Sequence, residues 1–172
     1  MIHRRRLLAN GAGLACALLN SETALAANQI SYEDAVRSTW KPLQADGGVH
    51  ELLRYATLAA NSHNTQPWTF KIEPSRVIIL ADPLRRCPAV DPDDHHLFVS
   101  LGCATENLVQ AAAAMGLRAD HVLEAGKITI SLENSRAERS ALFEAIPFRQ
   151  STRAAYDGRS ASNDALRLLE QA

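Results

Sequence analysis

The stretch Ala59-Ala60-Asn61-Ser62-His63-Asn64-Thr65-Gln66-Pro67-Trp68-Thr69-Phe70-Lys71-Ile72 changes its period halfway along. Upstream, Val49, Leu52, Leu53, Ala56, Ala59 and Ala60 recur at three- and four-residue steps, which predicts an amphipathic helix with one apolar stripe. Downstream, Trp68, Phe70 and Ile72 alternate with Thr69, Lys71 and Glu73, which predicts a half-buried strand. Between the two lies a run of amides and hydroxyls ending in Pro67, which biases Gln66 away from helix. A polar loop therefore links a helix to a strand.

Working outward, Pro74-Ser75 can turn the chain into Val77-Ile78-Ile79-Leu80, a strand expected to be buried on both faces. The pair reads as an antiparallel hairpin that Asp82-Pro83 ends. Residues 84–94 hold Pro88 and Pro92 and read as a loop. From His95 or His96 to Met115 a long helix is predicted, with Leu97, Leu101, Ala104, Leu108, Ala111 and Met115 as its buried stripe and Gly116 just past its end. Its length of roughly 30 Å would make it the spine of a small domain. A second hairpin is predicted around Ala125-Gly126. Ser135 is expected to cap a further helix to about Ala145, with Glu138 completing a capping box. Residues 148–160 read as a basic, polar loop, and Ser162-Asn163-Asp164 as the start of a last helix. Before Gly47-Gly48, Ser31 to Leu43 reads as a short helix capped by Ser31. Strands in antiparallel pairs between helices argue for an α+β fold, with an antiparallel-rich sheet packed with helices around a long central helix.

The first residues belong to a different category. His3-Arg4-Arg5-Arg6, the uncharged stretch Leu7 to Ser21 and the small-x-small pattern Ala24-Leu25-Ala26 read as a secretory signal over residues 1–26. The paired arginines, with Asn10, Gly11 and Gly13 diluting the apolar run, resemble a twin-arginine signal, and that resemblance implies export to the periplasm or another extracytoplasmic space. The run is too short and broken for a membrane span of about 20 apolar residues, so contact with a membrane is expected only through an uncleaved signal. Cleavage would remove Arg4, Arg5, Arg6 and Glu22, shifting the net charge from −1 to −3. That balance excludes a strongly basic, nucleic-acid-type surface, and no nucleic-acid partner is expected. A hydrophobic share of 47% excludes a disordered chain, and three cysteines are too few for a disulfide scaffold.

Side-chain amides can read the edge of a planar heterocycle, because each offers donors and an acceptor. The same residue types also simply make turns. The segment around Asn61-Ser62-His63-Asn64-Thr65-Gln66-Pro67-Trp68 resembles the [AP]-x-S-x-N-[ST]-Q-P-W signature of the nitroreductase-like flavoproteins. Asp91-Pro92 followed by Leu97-Phe98-Val99-Ser100-Leu101-Gly102-Cys103-Ala104-Thr105-Glu106-Asn107-Leu108 is similar to the exported Acg-type branch of that superfamily. A second element, Phe148-Arg149-Gln150-Ser151-Thr152-Arg153-Ala154-Ala155-Tyr156, resembles the R-x-S-x-[RK]-x-[FY] motif that opens an ordinary nitroreductase domain. Arg149 and Arg153, with hydroxyls between them, also suit a phosphate on chemistry alone.

In a standard member the Arg-Ser element precedes the Asn-Gln-Pro-Trp element; here it follows. Acg-type proteins resemble two fused nitroreductase units, so residues 27–146 look like a first unit and 147–172 like the incomplete start of a second. This order suggests a truncated or split reading frame. The resemblance implies FMN as cofactor, with Asn61, Ser62 and Asn64 at the isoalloxazine and ribityl positions and Arg149, Ser151 and Arg153 on the phosphate side. It implies hydride transfer through the flavin from NAD(P)H or another donor to a nitroaromatic or quinone-like acceptor, with no catalytic side chain required. Two other readings stay open: a flavin-sequestering protein without turnover, and an inactive fragment. A homodimer or a complementing second unit is the partner such a fragment would need. Asp91, Asp93, Asp94, His95 and His96 are read as ordinary helix-start residues and not as metal ligands, His63 as a solvated loop residue, Trp68 as core, and Cys87 and Cys103 as free thiols.

Overall fold

The computed structural model describes residues 30–171. The signal peptide expected over residues 1–26 lies outside the described residues. The helices are α1 (Tyr32–Thr39), α2 (Gly48–Thr57), α3 (His95–Ala114), α4 (Ala141–Ala145) and α5 (Asn163–Gln171). The strands are β1 (Trp68–Glu73), β2 (Arg76–Ala81), β3 (Leu117–Glu124) and β4 (Lys127–Asn134). The fold is α+β: one four-stranded antiparallel sheet in the order β1-β2-β4-β3, packed on the long helix α3.

The two hairpins read from the sequence are zipped together by their inner strands. Val77 faces Ile130 and Ile79 faces Ile128 across β2 and β4, and all four are buried against α3. The opposite face carries Ile78, Leu80 and Thr129, each only half-buried. The expectation that β2 is buried on both faces is therefore corrected: among the described residues, helices cover one face of the sheet. β1 is an edge strand, so its alternation fades outward, from buried Trp68 through half-buried Phe70 to exposed Ile72. Gly126 takes the left-handed φ of 75° that the two-residue β3–β4 turn requires. β3, the other edge strand, carries Arg118, Asp120, His121 and Glu124 exposed.

α3 follows its predicted stripe except at Met115, which lies just past the helix end and is half-buried. Leu97, Leu101, Ala104, Leu108 and Ala111 are buried, together with Ser100, Thr105 and Ala112. By length and composition α3 could cross a membrane, but its stripe from Leu97 to Ala112 is buried in this interior, while Phe98 and Val99 are exposed. Gly116, at φ 76°, turns the chain out of the helix. At the other end Asp91, three residues ahead of the N-cap position, turns back on the helix. Its carboxylate accepts from the backbone N–H groups of His96 and Leu97, both at 3.0 Å. Burial pushes the Asp91 carboxyl up, but those two N–H groups and the His96 imidazole outweigh it and hold the group below the usual carboxylate range.

α2 packs across α3 through Leu52, Tyr55 and Ala56, and the Tyr55 ring stacks on Phe143 of α4 with centroids 5.2 Å apart. Glu51 is buried on α2 and accepts from the Gln44 N–H and from Arg54. Arg54 in turn donates to the Thr39 carbonyl at 2.7 Å. This pair ties the α1–α2 connection to the body, and the Arg54 guanidinium holds the Glu51 carboxyl below its ordinary value. α1 stops at Thr39, short of the expected Leu43, and the Ser31 cap accepts from the Asp34 N–H as expected. The expected Ser135 cap is wrong. Residues 135–140 run without helix along the end of α3, the Ser135 N–H donates to the Gly116 carbonyl and the Glu138 N–H to the Ala113 carbonyl, and Ser140 caps the short helix α4. Those backbone donors are better satisfied by the end of α3 than by a new helical turn.

Candidate functional site

After α2 the chain turns at Leu58 and Ala59 and enters the polar loop. His63, Asn64 and Gln66 all hold positive φ, at 50°, 56° and 51°. Each such residue costs on the order of 1 kcal/mol unless its surroundings hold it. Asn61 is what holds the loop. Its Oδ1 accepts from the Gln66 N–H at 2.8 Å and its Nδ2 donates to the Ala59 carbonyl at 3.2 Å. Thr65 donates to the Ser62 carbonyl through both its N–H and its hydroxyl, and Arg85 reaches across to the Thr65 carbonyl. The Ser62 N–H donates to Ser100 Oγ, which fixes the loop to α3.

Residues distant in sequence then meet this loop. Buried Ile146 anchors the chain before Arg149, whose Nη2 donates to the Leu58 carbonyl at 3.1 Å and whose Nη1 lies 3.3 Å from Ser151 Oγ. The result is a cradle of about 200 Å³ lined by Ala59, Ala60, Asn61, Asn64, Arg149, Ser151 and Arg153. Among the described residues, neither Arg149 nor Arg153 has a carboxylate within ion-pair distance. Two unneutralised guanidiniums, a hydroxyl and an amide facing one concavity are a donor set for an anion, above all a phosphate.

Five of the six residues singled out from the sequence thus share one cavity, across a gap of about 85 residues in the chain. Ser62 does not join them; it lines a crevice of about 10 Å³ beside Asp91 and Leu97, with room for little more than one water. Asn61 lines the cradle with its amide already spent inside the loop. Asn64 makes no side-chain hydrogen bond among the described residues, which leaves its amide free for a ligand. His63 is exposed, and Trp68 is buried in the core. Asp91 is occupied in holding the start of α3, Asp94 pairs with Arg86, and no cluster of three metal-binding side chains occurs among the described residues. Cys87 and Cys103 are free and half-buried.

A protein from two strains of Mycobacterium tuberculosis, provisionally named an NAD(P)H nitroreductase, is 31% identical to this chain over 116 residues. The match takes in 63% of this chain and 34% of the relative, so the chain spans about a third of the length of the curated relatives it matches. These relatives carry a nitroreductase name. A solved structure, a provisional NADH oxidase from Clostridium acetobutylicum, superposes with a TM-score of 0.41 at 20% identity, over 56% of this chain and 82% of that one. No protein-family model matches the chain.

Sequence reasoning missed two parts of the site. The Leu58 carbonyl that orients Arg149 leaves no trace in a sequence. Tyr32, Val36 and Trp40, which face the back of the cradle from α1, did leave one: they recur every four residues, the spacing of a single helical stripe.

Proposed function

We propose that this chain carries the phosphate end of an FMN site in an exported oxidoreductase of nitroreductase type. The observation that supports it most is the meeting of Arg149, Ser151 and Arg153 with Asn61 and Asn64 in one cradle, on a loop whose backbone is held in an uncommon shape. The donor set fits a flavin phosphate. Arg149 and Arg153 would grip its oxygens, Ser151 would add a hydroxyl donor, and Asn64 would face the ribityl side. Asn61 would act through the loop, by fixing Gln66 and Asn64 in place.

A bound flavin would supply hydride transfer, from NAD(P)H in keeping with the name the relatives carry, to a nitroaromatic or quinone-like acceptor. The work of this chain would be to bind and orient. The guanidiniums would neutralise the phosphate, and the loop that Asn61 fixes would offer the amide of Asn64. Export by the twin-arginine route would deliver the chain folded, with its cofactor loaded. A second copy or a complementing unit would complete the walls around the ring.

The test is the visible absorbance of the purified chain after incubation with FMN and removal of the excess. Retained flavin that NAD(P)H bleaches supports the oxidoreductase. Retained flavin that NAD(P)H leaves oxidised turns the reading toward sequestration without turnover. Absence of flavin overturns both.

A further inference from the structure

Behind the cradle lies a second groove of about 320 Å³, between α1 and the end of α2. Tyr32, Val36 and Trp40 form one wall and Leu58 and Ala59 the other. Gln66 adds to the lining, and Asn64 and Arg149 line both this groove and the cradle. None of the residues of α1 is fully buried; Val36 stays 40% exposed and Trp40, just past the helix end, 38%. A helix of eight residues is too short to be stable alone. Its position depends on the polar ties at its far end, where Arg54 holds the Thr39 carbonyl. α1 is therefore fixed at a distance that leaves its apolar stripe facing an open gap.

The charge of the gap is one-sided. Of its eleven lining residues Arg149 is the only ionised one, and no carboxylate pairs with it among the described residues. Its guanidinium keeps N–H groups beyond those given to Leu58 and Ser151. The volume sits at the lower end of the roughly 300–1,000 Å³ typical of ligand pockets, which suits one or two fused rings and not a dinucleotide.

We propose that this groove binds a small aromatic carboxylate, its ring against Val36, Trp40 and Leu58 and its carboxylate on Arg149. The planar guanidinium matches a carboxylate in geometry as well as charge, and the aromatic wall takes a flat ring with little loss of side-chain freedom. The site does not rest on the flavin reading. Arg149 lines both this groove and the cradle, so the two sites share one guanidinium.

Calorimetric titration of the full chain with 2-naphthoate and with 2-naphthylmethanol tests the proposal. The acid should bind at least about tenfold more tightly than the neutral alcohol. Ala35→Trp, which fills the groove from an exposed position on α1, should weaken the acid at least about tenfold and leave thermal unfolding unchanged. Val36→Glu, which sets a negative charge in the wall, should weaken the acid more than the alcohol. Equal affinities for acid and alcohol, acid binding that survives both substitutions, or no binding of the acid at millimolar concentration would overturn it. A failure of the flavin reading would look different: FMN would not be retained while naphthoate bound as described.

Discussion

The inner face of α3 and the loop at 61–66 touch through one hydrogen bond, Ser62 N–H to Ser100 Oγ, and are held together by different physics. The helix face is apolar packing without strain: Leu97, Leu101, Ala104, Leu108 and Ala111 fill rows against β2, β4 and α2. The loop buries no side chain over 61–66, and three of its residues hold left-handed backbone conformations under a net of hydrogen bonds from Asn61, Thr65 and Arg85. Strain of that kind persists only where a stiff frame over-determines it. The frame supplies stability that the loop uses to keep its amides and the nearby Arg149 in one place.

The two regions should break differently. Leu101→Ala, in the fully buried face, is expected to cost about 2–5 kcal/mol in urea unfolding, because it leaves a cavity the frame cannot close. A loss below about 1 kcal/mol would mean that the frame is soft. On the other side of the comparison, Arg149→Ala together with Arg153→Ala should cost only about 1 kcal/mol in unfolding, for the lost Arg149–Leu58 hydrogen bond, and act mainly on ligand. Charge-assisted hydrogen bonds are worth about 1.5–3 kcal/mol each, so FMN retention should fall by about a hundredfold or more while riboflavin, which lacks the phosphate, is little affected. Equal losses for the two flavins would show that these arginines do not face a phosphate.

The frame was legible in the sequence because apolar periodicity and burial are the same fact seen twice. The stripe from Leu97 to Ala111 and the alternation from Trp68 to Phe70 both predicted where the core lies. Legibility failed where a long-range contact competes with a local signal. Ser135 and Glu138 spell a capping box, yet their backbone N–H groups bond Gly116 and Ala113 at the end of α3. Ile78 and Leu80 are as apolar as their neighbours, yet nothing in a sequence says that they stay half-buried on the face away from α3. For the cradle, residue types and motif resemblance pointed to Asn64, Arg149, Ser151 and Arg153. The sequence could not tell that Asn61 spends its amide on the loop or that Ser62 turns to a different crevice.

Between frame and loop stands the Glu51–Arg54 pair, polar but buried. Glu51→Gln should destabilise by about 1–3 kcal/mol at neutral pH, since it leaves the Arg54 charge without its counterion. The folded carboxyl lies below its unfolded value. Its contribution is therefore complete above the usual Glu range of about 4.3 and is lost as pH falls through the folded value. The gap between the parent chain and Glu51→Gln in thermal unfolding should stay constant from neutral pH down to that range and close below it. A gap that widens on acidification would mean that the pair is not what ties α1 to the body.

The smallest effect gives the sharpest test of the loop. Gln66→Gly removes the side chain from a residue at φ 51° and relieves strain of about 1 kcal/mol, while the freer unfolded chain takes back about 0.4–1 kcal/mol, so the net change should stay near zero. Asn61→Ala leaves the Gln66 N–H without its acceptor and should cost about 1 kcal/mol. If Asn61 holds the loop against that strain, the two changes are not independent. Once Gln66→Gly is in place the backbone needs no holding, and adding Asn61→Ala should cost measurably less than it does alone. Strict additivity in the double-mutant cycle would mean that the loop takes its shape from Arg85 and Ser100 and that Asn61 is a bystander to it.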